Sequence, residues 1–407
     1  MNFNELNLIQ PLLDAVAGAG YETPTPIQEA TIPLVLAGKD VLGCAQTGTG
    51  KTAAFALPML QELYSSADRT HGARRPIRAL IVTPTRELAT QISENFDTYG
   101  ANLPLNNCVI FGGVKQSGQV ERLKAGVDIL VATPGRLNDL IGQGFIKLNK
   151  LEIFVLDEAD RMLDMGFIND IRQILRCIPQ TRQTLFFSAT MPPDVERLAM
   201  TILHKPATVK VDPENSTVES ISQSLYYVDK VNKGKLLASL LKGPDVRSAL
   251  VFTRTKHGAD KVVRELAKAN IEAMAIHGNK SQNARQEALH RFTNGDIAVL
   301  IATDIAARGI DIPELSHVFN YDIPEDPETY IHRIGRTGRA GLSGCAISFC
   351  CYDERDRLSS VEKLIKKRIP VTESPWPMEV CTCSEKPQHD PRPARGQRPA
   401  YRRSARR

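Results

Sequence analysis

IFVLDEAD, residues 153–160, sets four apolar residues in a row directly before two acids, and that arrangement recurs along the chain. A short uninterrupted apolar run suits a strand buried on both faces of a parallel sheet. Comparable runs in the first half are ALIVTPT (79–85), DILVATP (128–134) and TLFFSAT (184–190). The second half carries ALVFTRT (249–255), AMAIHG (273–278), IAVLIATD (297–304), HVFNYDIP (317–324) and CAISFC (345–350). Helix-compatible stretches separate the runs. Polar or glycine-bearing residues follow most of them, at the edge where open α/β sheets bind ligands. Because the pattern appears twice, the chain reads as two tandem doubly wound α/β domains. The polar stretch DPENSTVES (212–220) is the expected linker between a first domain over 1–211 and a second over 221–370. No short internal repeat or heptad pattern appears.

With 407 residues, 42% hydrophobic and 24% charged, the chain can bury a core in each domain. No apolar run reaches the roughly 18 residues of a membrane-spanning helix. The first basic residue is Lys39, too late for a secretory n-region, so a cytoplasmic protein without membrane attachment is expected. The eight cysteines show no C-x-x-C pair, and those in CAISFCC read as buried reduced thiols. The net charge is +5. Residues 371–407 form a basic tail, expected to be disordered and to offer a loose phosphate-binding arm.

AQTGTGKT (45–52) follows the apolar pair Val41–Leu42 and precedes a helix-compatible run. Gly48 and Gly50 allow the tight turn of a loop whose amides point at phosphate oxygens. Lys51 is expected at the β/γ-phosphates and the Thr52 hydroxyl at Mg²⁺. Ala45 departs from the first glycine of the strict pattern. Downstream, Asp157 is the natural Mg²⁺ partner, and Glu158 is placed to orient a water or accept its proton. HRIGRTGR (332–339) supplies positive charge through Arg333, Arg336 and Arg339. Together these groups describe a site that cleaves a nucleoside triphosphate.

Taken in order, the segments resemble a DEAD-box RNA helicase across roughly residues 1–370. The motifs are GYETPTPIQ (20–28), the 45–52 loop, PTRELA (84–89), Gly112–Gly113, TPGR (133–136), DEAD (157–160) and SAT (188–190). The second half adds VFTRTK (251–256), Gln282 with Arg285, ATDIAARGID (302–311) and HRIGRTGR. This resemblance implies two RecA-like domains and ATP with Mg²⁺ as cofactors. ATP would be held by Ala45, Gln46, Thr47, Gly48, Thr49, Gly50, Lys51 and Thr52. It further implies that Gln28 reads the adenine edge, with Thr23 and the aromatics Phe3 and Tyr21 around the base. Tyr21 stands where the family usually has Phe. Asp311 resembles the ribose contact, and Arg336 and Arg339 match arginine fingers. Arg333 and His332 fall to structural or coupling roles, as do Asp160, Ser188 and Thr190.

RNA, by the same resemblance, crosses both domains. Contacts fall on Pro84, Thr85, Arg86 and Gly113, then on Thr133, Gly135 and Arg136. The second domain contributes Thr253, Arg254, Gly278, Gln282, Arg285 and Thr303. Hydroxyls, amides near glycines and arginines suit phosphates and sugars, which predicts sequence-tolerant, salt-sensitive binding. Ser281 is expected to cap the helix that carries Gln282 and Arg285. The implied activity is ATP-driven local strand separation. Two alternatives use the same residues: an ATP-dependent RNA clamp or assembly scaffold, and a motor acting on DNA. Ribosome-assembly or RNA-decay proteins are the expected partners, and the compact build resembles the bacterial RhlE-like group.

Overall fold

Seven parallel strands make the first sheet: β1 (Val41–Cys44), β2 (Ala79–Val82), β3 (Asn107–Ile110), β4 (Ile129–Ala132), β5 (Ile153–Leu156), β6 (Gln183–Ser188) and β7 (Ala207–Lys210). Their spatial order is β3-β4-β2-β5-β6-β1-β7. Six more make the second: β8 (Ile221–Tyr227), β9 (Ala249–Phe252), β10 (Ala273–Ile276), β11 (Val299–Ala302), β12 (His317–Asn320) and β13 (Gly344–Cys350), in the order β10-β11-β9-β12-β13-β8. The computed structural model describes residues 2–46, 48–66, 75–211, 221–307, 315–338 and 344–379. The expected linker 212–220 lies outside the described residues.

Every residue of β2, β4, β5, β9, β11 and β12 is buried, as a strand covered by helices on both faces requires. Each sheet separates two apolar layers. In the first domain one layer gathers Phe55, Phe96 and Phe187, and the other Phe154, Phe186 and Leu137. Several helices start where a strand ends, and a hydroxyl marks the start. Thr85 Oγ1 accepts from the Leu88 amide at 3.3 Å, Thr255 Oγ1 from Gly258 at 3.0 Å and Ser281 Oγ from Ala284 at 3.2 Å. These caps satisfy first-turn amides and fix the chain's exit at the ligand-binding edge. Ser281 does cap the Gln282–Thr293 helix, as its sequence predicted.

The second fold runs past Pro370, where the sequence placed its end. The edge strand β8 leaves the Leu225 backbone groups to be paired, and the following segment pairs them. Leu225 N donates to Pro370 O and Thr372 N to Leu225 O, both at 2.8 Å. Trp376 then packs against the second domain's core, and Met378 is buried. Residues 371–379 therefore belong to the folded domain. The remainder of the expected tail lies outside the described residues.

Among the described residues no helix is long and apolar enough to cross a membrane. Cys350 and Cys351 are buried. Burial pushes their thiols up to about 12 and about 11, so they stay protonated.

Candidate nucleotide and nucleic-acid sites

The loop after β1 turns through two glycines in the left-handed region, Gly48 at φ 86° and Gly50 at φ 88°. A Cβ on Gly50 would also run into the Gln28 amide, so this position needs glycine twice over. Gln28 is held from both sides: its Oε1 accepts from Thr25 N at 2.9 Å and its Nε2 donates to Gly50 O at 3.1 Å. That ties the predicted base-reading amide directly to the phosphate loop. Lys51 is buried, and its Nζ donates to Ala45 O at 2.9 Å. Thr49 Oγ1 donates to Gln46 O at 2.8 Å, and Thr52 follows Lys51 on the first turn of the Lys51–Ser65 helix. Thr47 lies outside the described residues. Thr23 and Tyr21 are exposed, and Tyr21 stands 6.3 Å from Tyr99 between ring centroids. Phe3, by contrast, is buried in the first domain's core beside Leu6 and Leu12, away from solvent.

At the end of β5, Asp157 and Glu158 are both buried. Burial lifts the Asp157 carboxyl to about 6, with Lys51 opposing the rise and Glu158 adding to it. A buried carboxylate short of positive charge is what a divalent cation would satisfy, so the donor set fits Mg²⁺. Glu158 adopts φ 54°, ψ 50°, a conformation that costs a side-chain-bearing residue roughly 1–3 kcal/mol. Arg161 Nη1 offsets this by donating to Glu158 Oε1 at 2.8 Å and to Oε2 at 2.7 Å. Sequence reasoning missed Arg161. Its spacing of three from Glu158 on a helix was the available signal.

The SAT segment clasps the DEAD segment. Thr190 donates through both N and Oγ1 to Asp160 Oδ2, each at 2.9 Å. Ser188 Oγ donates to Thr190 O at 2.7 Å and accepts from Asp160 N at 3.3 Å. Asp160, Arg161 and Thr190 form one wall of a cleft of about 240 Å³, with Asp304, His332, Arg333 and Arg336 of the second domain on the other.

The arginines of HRIGRTGR divide in role. Arg333 grips Asp304 with Nε at 2.6 Å and Nη2 at 2.8 Å, donates to Asp322 O at 2.6 Å, and lies over Phe252. All of this stays within the second domain. Arg333→Ala should therefore destabilise that domain by about 3–5 kcal/mol, since it strands buried acceptors. Urea unfolding measures this, and a change below about 1 kcal/mol would contradict the buried-bridge role. Arg336 lines the same cleft. Arg339 and Asp311 lie outside the described residues.

A second concavity of about 550 Å³ joins the domains and gathers many of the predicted RNA contacts. Pro84, Thr85, Arg86, Thr133, Gly135 and Arg136 come from the first domain, and Gly278 and Arg285 from the second. Gly113, at φ 78°, lies under Arg86, where a Cβ would collide with the guanidinium. Burial lowers the Arg86 pKa, as do Arg285 and Arg136 nearby, although Glu87 opposes them. Like charges crowded together in this way favour a polyanion. Gln282 is buried and donates to Glu87 Oε1 at 2.9 Å, while Arg285 reaches Glu87 Oε2 at 3.0 Å. Arg86 Nη1 also donates to Gln282 Oε1 at 3.3 Å. Glu87 thus bridges the domains, a role sequence reasoning did not assign although PTRELA contains it. Thr253 is fully buried, its Oγ1 donating to Thr255 O, so its hydroxyl is turned inward. Arg254 is exposed and held through its amide on Asp322 Oδ2 at 2.9 Å, and Thr303 is half-buried.

The family description "DEAD/DEAH box helicase" matches residues 25–198, and "Helicase conserved C-terminal domain" matches 232–341. The ATP-dependent RNA helicase CshA of Limosilactobacillus reuteri is 43% identical over 369 residues, covering 91% of this chain and 73% of that protein. Among solved structures, S. cerevisiae Dbp5 bound to RNA and ADP BeF3 overlays with a TM-score of 0.80 at 32% identity, covering 93% of this chain and 96% of that one. A DEAD box protein from Methanococcus jannaschii gives 0.53 at 39% identity, over 91% and 99% of the two chains. The sequence relatives carry the CshA name and lend no support to the narrower RhlE-like grouping.

Proposed function

From the chain's membership of the DEAD-box family of ATP-dependent RNA helicases, we propose that it hydrolyses ATP to separate or remodel RNA strands locally. The observation that carries this reading is the convergence of two domains on two concavities. One holds the DEAD and SAT segments opposite Arg336, and the other holds three arginines beside an interdomain bridge. The overlay on the yeast protein with RNA and ADP BeF3 spans both halves and supports the same arrangement.

ATP takes the 45–52 loop, with Lys51 released from Ala45 O to the β/γ-phosphates and Gln28 reading the base. Asp157 and Thr52 would hold Mg²⁺, which would neutralise charge at the phosphates. Glu158 orients the attacking water and takes up its proton, and Arg336 stabilises the charge that develops as the terminal bond breaks. Arg339 and Asp311 complete the second domain's share. RNA lies along Arg86, Arg136 and Arg285, held by backbone contacts without base reading. Closure that fits a bent strand better than a duplex converts ATP binding into strand separation. The proposal extends to cytoplasmic residence and to work beside ribosome-assembly or RNA-decay proteins.

Thr190→Val removes one of two bonds to Asp160 while keeping shape. Strand displacement should fall several-fold while RNA-stimulated ATP turnover is largely retained, because the lost hydrogen bond belongs to coupling. Equal loss of both activities would contradict that assignment. The function itself is tested by ATP turnover with matched RNA and DNA oligonucleotides, run beside a strand-displacement assay. RNA stimulation with displacement is expected. Equal stimulation by DNA, or ATP turnover without displacement, would overturn the reading in favour of a DNA motor or a clamp.

A further inference from the structure

On the second domain, away from both concavities, the helices Lys233–Leu240 and Lys256–Lys268 enclose a groove of about 630 Å³ with Trp376. Its apolar wall is made by Trp376, Ala238 and Val231, and Val231 is 81% exposed. Lys235, Lys242 and Lys268, all exposed, stand around it. The one acid inside, Glu265, is paired with Lys261 at 3.5 Å. The groove is therefore an apolar slot with a positive rim.

We infer that this groove docks an acidic segment of a partner protein, with an apolar side chain seated against Trp376. Charge selects the occupant. The chain's own C-terminal residues 380–407 carry seven arginines and a lysine against two acids, a charge that a positive rim disfavours. RNA matches the rim but not the wall, where Val231 and Ala238 present an aliphatic face that a sugar–phosphate chain does not fill. A peptide of acids flanking one leucine satisfies both. Position makes the docking compatible with catalysis. Lys268 ends the helix that Lys256 begins, next to Arg254, and 13 residues of helix put about 20 Å between them. A partner here would tether the helicase without covering RNA or ATP.

Trp376 is the single tryptophan of the chain, so its emission reports occupancy of the groove directly. The full chain should be titrated with a short peptide of glutamates and aspartates around a central leucine. A saturable emission change is expected, weakening as salt rises. K242E/K268E should weaken the peptide at least about tenfold through the lost rim charge, with RNA-stimulated ATP turnover unchanged. Val231→Ser, at an exposed position, should weaken the peptide by an independent route, removing apolar wall without touching the rim charge. A flat emission trace, undiminished binding by both variants, or saturation by an RNA oligonucleotide instead of the peptide would each overturn the proposal.

Discussion

Arg336→Ala should lower RNA-stimulated ATP turnover by about 10³- to 10⁵-fold, the range known for arginine fingers. That is about 4–7 kcal/mol of transition-state stabilisation. The contrast with Arg333 explains the size. Both arginines line the cleft shared with Asp160 and Thr190, but Arg333 spends its donors inside the second domain, on Asp304, Asn320 and Asp322. The charge of Arg336 therefore counts when the domains meet over the phosphate. Arg336→Lys should recover little, because an ammonium lacks the planar fork. ATP affinity should hold in both variants, since the first domain supplies most binding contacts. Single-turnover hydrolysis at saturating RNA measures the effect. A rate within about threefold of the parent would remove Arg336 from the chemistry.

Glu158→Gln should cost about 10²–10⁴-fold in turnover, the range for loss of a positioned acid–base group. The variant should still bind ATP and RNA, because glutamine keeps the side chain's shape and Asp157 and Lys51 remain. Backbone strain at φ 54° holds the carboxylate in place, and Arg161 clamps both its oxygens. The amide retains one acceptor for Arg161 but cannot take up a proton. ATP and RNA should then persist together on the protein, visible as slowed RNA release. Brisk hydrolysis by this variant would assign the water to another group.

Much of this architecture was legible because fully buried strands are apolar throughout. Each of the nine runs read from sequence contains a strand. Four strands fall outside those runs: β1, an interior strand marked in the sequence only by the apolar pair Val41–Leu42, and β3, β7 and β8, which are edges. β3, β7 and β8 each mix buried with partly or fully exposed residues, so the apolar run breaks up. The P-loop, DEAD, SAT and arginine segments were legible because phosphate chemistry restricts residue type. Glu87 and Arg161 were not, since an acid in PTRELA or an arginine after DEAD gains its meaning only from what it meets in space. Phe3 packs into the first domain's core, a placement that an aromatic near the start of the chain did not signal. The folded stretch 371–379 was hidden by its prolines and polar residues, which pair with β8 through backbone groups that carry no sequence signature.

The central claim is that nucleotide and RNA together draw the two domains shut over the terminal phosphate. Spin labels at the exposed positions Met200 and Leu364, one on each domain, would read this as a distance distribution. With RNA and ADP·BeF3 both present, a single narrow distance is predicted, against a broad spread with either alone. The same broad spread under all conditions would contradict the account.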